Sequence, residues 1–290
     1  MSLPDHPAVT LEWLVDKTRT VYSLPFFYER LSETISHPRS SIADIAKIIT
    51  EDQGLTARLL RLANSPMFGY YSKVDSITKA VTIIGTQQLR DLALASSVMD
   101  VFKGIPEDLI NMGDFWRHSI ACGIVARSFA TCLRENNVES YFVAGILHDV
   151  GQLILCTAVP DIAAKLLKRS REQEELYFLT ERQELGFDHA ELGGALLHAW
   201  KIPPNIYEPV SFHHFPYNET SSYSFEAAVI HVADIICQAF QWGASGECFV
   251  PPLDEHAWDR LGLPASMLNS ILKQSEPQIE ETFAILVEDR

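Results

Sequence analysis

Apolar residues recur along this chain at intervals of three and four, and strictly alternating β-branched runs are few, so the pattern predicts an all-α protein. Residues 11–22 read as a helix, Leu24-Pro25 breaks it, and 26–35 read as a second. Ser40-Ser41 supplies a cap, with Asp44 three residues beyond Ser41 as a variant of the capping box. Ile42, Ile45, Ala46, Ile48 and Ile49 then share one stripe. Asp52-Gln53-Gly54 is expected to turn, with a helix resuming over 55–63 until Asn64-Ser65-Pro66. Residues 76–84 form the next amphipathic segment, and Gly85 is expected to close it as a left-handed C-cap. Another helix is expected over 87–101.

A break at Gly104-Ile105-Pro106 precedes a long helix over 115–133, whose Trp116, Ile120, Val125 and Phe129 lie roughly on one face. Asp114 and His118, four residues apart, fall on the same side of it. After the polar turn 134–137, a helix carrying His148 and Asp149 runs to Val159-Pro160. Segments 161–170 and 173–186 are charged and expected to be exposed. Asp188 can cap the helix that carries His189, and Gly193-Gly194 permit a close approach of neighbouring helices. Trp200 to Pro204 ends that helix, and 206–212 lead into His213-His214. A polar turn over 215–224 precedes the apolar helix 225–242, which bears His231 and Asp234. A loop over 243–252 and helices over 257–262 and 264–288 complete the chain. With no long linker and no internal repeat, we expect helical lobes sharing an interface. The expected division is an N-terminal module over 1–103, a core over 104–242 and a C-terminal extension over 243–290.

The chemistry centres on Ala144-Gly145-Ile146-Leu147-His148-Asp149-Val150-Gly151, an imidazole beside a carboxylate inside an apolar run. Burying that pair unaided costs several kcal/mol of hydration. A bound cation is one compensation, since imidazole and carboxylate together suit Zn, Mn, Fe or Co. The alternative is that Asp149 caps a helix end and His148 is a satisfied core histidine. No nucleophile elbow, glycine-rich phosphate loop or dinucleotide fingerprint offers a rival centre.

Composition narrows the partners. Apolar residues make up 47% of the 290 and charged residues 21%, a globular balance. The net charge of −15 argues against broad binding to nucleic acid or anionic membranes, while leaving room for a small phosphorylated ligand in a local pocket. Five cysteines, odd in number and without Cys-x-x-Cys spacing, suit a reducing cytoplasm. Asp5, Glu12 and Asp16 make residues 1–20 unlike a signal peptide. No run of about 18 uncharged apolar residues is present to cross a bilayer, so a cytoplasmic location is expected.

The order Leu24-Pro25, Ile49-Thr50-Glu51-Asp52-Gln53-Gly54-Leu55-Thr56, Leu60-Arg61-Leu62-Ala63-Asn64-Ser65-Pro66 resembles the HDOD (HD-related output domain) family, a branch of the HD phosphohydrolase superfamily. Ala80-Val81-Thr82-Ile83-Ile84-Gly85 and Leu89-Arg90-Asp91-Leu92 extend the likeness, which runs from about residue 24 to 214. The resemblance implies an HD-domain-like helical bundle, with an N-terminal lobe packed on an HD-like core, and a role in bacterial signalling. It also implies the ligand order His118, His148-Asp149, Asp234. His189, His213 and His214 resemble the residues that hold a second metal in dinuclear HD-type phosphodiesterases, and Asp114 sits where some relatives place a further acidic ligand.

A carboxylate has two oxygens and can bridge two cations, and metals about 3.5–4 Å apart can activate a shared water. The mixed nitrogen and oxygen set favours Fe or Mn, with Zn close behind. Two departures bear on turnover. Related cyclic di-GMP phosphodiesterases read His-Asp-x-Gly-Lys, whereas Gln152 stands here, and their Gly-Tyr-Pro loop is replaced by Phe215-Pro216-Tyr217. Arg117 could contact an anionic ligand, or be an ordinary exposed helix arginine. The expectation is a regulatory HDOD protein acting through a signalling partner or a small phosphorylated ligand. The alternative is a metal-dependent phosphohydrolase acting on a cyclic dinucleotide or nucleotide phosphoester, with His148 and Asp149 catalytic.

Overall fold

The structure, a computed structural model, describes residues 9–21, 26–69, 73–102, 105–217 and 221–288. All regular elements among them are helical: α1 (Leu11–Val21), α2 (Phe26–Ser36), α3 (Ile42–Thr50), α4 (Gln53–Asn64), α5 (Ile77–Ile84), α6 (Thr86–Val101), α7 (Met112–Leu133), α8 (Val138–Leu147), α9 (Val150–Ala158), α10 (Pro160–Gln173), α11 (Tyr177–Leu185), α12 (His189–Ala199), α13 (Pro204–Phe212), α14 (Ser224–Ala239), α15 (Glu255–Leu261) and α16 (Ala265–Phe283), the last running into a π-turn over Ala284–Glu288. The expected breaks at Leu24-Pro25 and Gly104, and Asn218 to Thr220 of the expected polar turn, lie outside the described residues.

Local chemistry sets the helix starts. Ser41 and Asp44 form the full reciprocal capping box of α3. Asp52 is not mid-turn but the N-cap of α4, its carboxylate accepting from the Leu55 amide at 2.9 Å, so Gln53 and Gly54 are already helical. Gly85 has φ 105° and ψ 155°, a region open to glycine alone rather than the expected left-handed helical conformation. It joins α5 to α6 without a spacer.

The main hydrophobic core, from Leu14 to Leu286, runs through the described residues, with a small second cluster of Leu166, Leu167 and Tyr177 under α10 and α11. At its centre α7 crosses α8, α14 and α16, while α12 packs on α9 and α13. Helix α1 also lies against α9 and α12. The stretch Val138–Ala158 is long and apolar enough to cross a membrane by length and composition, yet 89% of its most apolar window is buried inside the protein. Segments α10 and α11, expected to be exposed, bury Leu166, Leu167, Tyr177, Phe178 and Glu181 on their inner faces.

Two glycine contacts fix how closely these helices meet. At the α7–α8 crossing, a Cβ on Gly145 would lie 2.5 Å from the Gly123 Cα. At the α9–α12 crossing, a Cβ on Gly151 would lie 1.9 Å from the His189 carbonyl oxygen. Both obstacles are backbone, so relief requires moving a helix. Gly151→Ala is therefore expected to lower unfolding free energy by about 1–3 kcal/mol and to displace His189. Gly54→Ala, whose Cβ meets only side-chain atoms at 3.4 Å on an exposed helical turn, should be neutral or stabilising by up to about 1 kcal/mol. Urea unfolding of both variants checks the contrast, and equal effects would contradict it.

Candidate metal centre

The helix expected to run through His148 and Asp149 is interrupted there. Helix α8 ends at Leu147, α9 begins at Val150, and the two residues form the turn between them. Asp149 occupies the N-cap position of α9 but makes no side-chain cap bond. Both its oxygens face imidazoles instead. Oδ2 lies 3.1 Å from His148 Nε2 and 3.8 Å from His118 Nε2, while Oδ1 lies 3.0 Å from His189 Nε2 and 3.9 Å from His213 Nε2. The capping explanation of Asp149 is excluded by this geometry.

The histidines are oriented from behind. His148 Nδ1 is 2.7 Å from the Gly145 carbonyl and His213 Nδ1 is 2.9 Å from the Val210 carbonyl. A carbonyl only accepts, so each Nδ1 donates its proton outward and each Nε2 is turned inward. Those two Nε2 atoms are buried and have no hydrogen-bond partner of acceptable geometry. Two buried, unbonded Nε2 atoms near one carboxylate are what a cation would satisfy, displacing any proton they carry. His118 Nε2 bonds Asp234 Oδ1 at 3.0 Å, and Asp234 also accepts from Gln238 at 2.9 Å.

His189 and His214 bring their Nε2 atoms to 2.9 Å, a distance at which one nitrogen donates a hydrogen bond to the other or both share a cation. Three groups of donor atoms are close enough to hold an ion: His118, His148 and Asp149; His148, His213 and Asp234; and His189, His213 and His214.

Not every expected residue converges. Asp114 is exposed on the first turn of α7 and belongs to none of these groups. One turn of helix separates it from His118, yet His118 faces the core and Asp114 faces solvent. Its backbone carbonyl instead receives the Ala244 amide at 3.1 Å. Arg117 ion-pairs with Glu280 and lies over the Phe283 ring at 4.2 Å, which commits it to α16. His231 is a satisfied core histidine, with Nδ1 on the His213 carbonyl at 2.8 Å and Nε2 accepting from the Asp254 amide at 3.1 Å.

Sequence reasoning missed Glu181. It is fully buried on α11 and receives both the His189 ring Nδ1–H at 2.6 Å and the His189 amide at 2.9 Å. Gln152 also points inward, its amide nitrogen 3.4 Å from His189 Nε2.

The outer side opens into a cavity of ≈ 250 Å³ lined by Phe178, His214, Phe215, Asp234, Pro252 and Asp254, among others. The Phe178 ring stacks on His214 at 4.1 Å. None of the residues described around this cavity is Lys or Arg.

Charge is distributed by proximity. Burial opposes a charged His148, but Asp149 beside it prevails and raises its pKa well above the ordinary value. Burial opposes charge on His189 as well, and Glu181 and Asp149 prevail there. Burial likewise works against ionised Asp149 and Asp234, yet the neighbouring histidines hold both well below the usual carboxylate range. His213 is the converse case, since burial and the charge on His148 push it down to about 4. In the metal-free state the cluster thus neutralises itself with imidazolium protons, which metal ions would displace.

The HDOD domain profile matches residues 21–216. The chain belongs to the HDOD family. An uncharacterised Treponema pallidum (strain Nichols) protein is 23% identical over 274 residues, which is 94% of this chain, and the chain spans about half that relative's length. A Shewanella amazonensis SB2B structure provisionally described as a phosphohydrolase is 26% identical, with a TM-score of 0.74 over 94% of this HDOD chain and 98% of its own. A Marinobacter aquaeolei VT8 structure provisionally described as a signal transduction protein shares the fold, with a TM-score of 0.71 at 18% identity, covering 97% of this chain and 61% of its own.

A pH prediction follows for chelator-treated protein. An unfolded His213 takes up a proton near pH 6.5 whereas the folded one resists until about pH 4. Stability is therefore present above that window and lost as pH falls through it, by about 3 kcal/mol for this one residue. His214, also lowered, acts in the same direction. His148 and His189, being raised, exert their pH effect above 6.5 instead. Buried carboxyls with raised pKa values, Glu181 and Asp91 among them, act in the opposite direction, so the test is the difference between parent and His213→Gln in thermal unfolding from pH 7 to 4: the variant should lose less stability over that range, and an identical slope would contradict the assignment.

Proposed function

We propose that this chain is a signalling or regulatory HDOD protein that retains a metal site and acts through a protein partner or a small phosphorylated ligand. The observation that carries the reading is the pair of buried, unbonded Nε2 atoms on His148 and His213, fixed from behind and lying 3.1 and 3.9 Å from Asp149 oxygens. His118, His148, Asp149 and Asp234 would hold a first cation. Asp149, His189, His213 and His214 would hold a second, with Asp149 bridging. The imidazole and carboxylate set suits Fe or Mn, and Zn next.

Two features favour regulation over turnover. Gln152 supplies a neutral amide where related phosphodiesterases have lysine, and Arg117 is engaged by Glu280 and Phe283. The cavity beside the cluster therefore offers no side-chain cation to a phosphoryl group among the residues described around it. Hydrolysis of a phosphoester is the second reading. It is favoured by the two oxygens of Asp149 facing separate histidine sets, the arrangement a two-metal centre needs to clamp and activate water, and by the likeness to the protein provisionally described as a phosphohydrolase.

Elemental analysis of protein purified without chelator or affinity metal tests the site, beside a His148→Ala, Asp149→Ala double variant. One to two equivalents of Fe, Mn or Zn are expected in the parent and close to none in the variant. A parent chain that carries no metal and binds none when Fe, Mn or Zn is added would overturn the proposal. Loaded protein with no turnover in a phosphoester screen fits the regulatory reading, and steady turnover would replace it with the hydrolase.

A further inference from the structure

We infer that Glu181 on α11 is the positioning residue of the second metal position, and that it sets the affinity of that position selectively. The inference rests on the two-position reading above. In that reading the first position draws on two carboxylates, Asp149 and Asp234. The second draws on three imidazoles, His189, His213 and His214, and only the shared Asp149. A divalent ion there is short of negative charge, and nothing within the ligand set makes up the difference.

Glu181 does so from one bond further out. Its Oε2 receives the His189 ring Nδ1–H at 2.6 Å and the His189 backbone amide at 2.9 Å. The same oxygen therefore fixes both the place of His189 at the start of α12 and the rotation of its ring. With one proton held on Nδ1 by Glu181, Nε2 is the atom that would give up its proton to a cation. That atom lies 3.0 Å from Asp149 Oδ1 and 2.9 Å from His214 Nε2. Tyr177 closes the other side, its ring stacked on His189 at an interplanar angle of 19°.

Glu181 itself is fully buried, and its Oε1 makes no hydrogen bond of good geometry although the Tyr177 hydroxyl lies beside it; burial raises its pKa, and His189 pulls it back toward the ionised form. A carboxylate kept at that cost needs a compensating role. A carboxylate behind a metal-bound imidazole raises the ligand's basicity and locks its orientation, and removing such a partner commonly costs 10–100-fold in metal affinity. The histidines of the first position have no equivalent. His148 leans on a neutral carbonyl, and His118 Nδ1 has no hydrogen-bond partner. The effect should therefore fall on one position only.

The test uses the full chain, stripped with chelator and titrated with Mn2+ or Zn2+ by calorimetry, with bound metal counted after desalting. Co2+ loading supplies a visible spectrum for each position. Parent protein is expected to bind two equivalents. E181Q, which keeps an acceptor for His189 but loses the charge, should keep the first equivalent at parent affinity and weaken the second by about 10–100-fold. E181D, which keeps the charge but draws it back, should fall between them, and it carries the test if E181Q does not fold. Two equivalents at parent affinity in E181Q would overturn the inference and leave Glu181 as an anchor for α12. Equal weakening of both equivalents would overturn it too, as a general loss of structure. A parent chain that binds no metal would sink the functional reading and this inference with it, a failure seen before any variant is compared.

Discussion

The structure depends on how carboxylates are kept at the centre of an apolar helical core. Asp149, Asp234 and Glu181 are each almost wholly inaccessible to water, and an unpaired carboxylate in that setting costs several kcal/mol. Lysine and arginine do not supply the opposite charge, since the contacts of all three are with histidines and amides. Imidazole has a property lysine lacks. It can carry a proton or exchange that proton for a metal ion without moving. On the proposed reading the cluster has two chemical states, one closed by protons and one in which cations would take their place.

Bringing those groups together is a backbone problem before it is a side-chain one. His118 and His148 come from helices that meet through Gly123 and Gly145. Asp149 and His189 meet because Gly151 lets the start of α12 rest against α9. The interruption of the helix at His148-Asp149 turns both carboxylate oxygens of Asp149 away from a capping role and into the cluster. The loop after α14 then closes the near side, where a Cβ on Gly243 would strike the backbone of Asp114 and His118.

Much of this was legible in the sequence, for identifiable reasons. Helix caps are local, so Ser41 with Asp44, and Asp188 as the cap of α12, could be read from the sequence alone. The all-α class followed from apolar periodicity, and the HDOD likeness from short motifs that the fold bears out. What could not be read depends on rotation and long-range contact. Asp114 shares a side of α7 with His118 in sequence, but as the first turn emerges from the core it points to solvent. Glu181 sits in a charged segment that looks exposed, and only the tertiary contact with His189 reveals it as buried. The one available signal was the Tyr177-Phe178-Leu179 run preceding it, apolar bulk that needed a place to bury. Gly85 is a glycine for its positive φ, but which positive-φ region it occupies is decided by the helix that follows.

The central claim is that the histidine and carboxylate cluster around Asp149 binds divalent metal. Diffraction from crystals of protein grown and purified with Mn or Fe available, recorded on both sides of the metal absorption edge, tests it most directly. The account predicts anomalous density inside the cluster, within bonding distance of Asp149 and flanked by His148 on one side and His189 on the other. A cluster without anomalous density, its rings hydrogen-bonded only to one another and to Asp149 and Asp234, would contradict it.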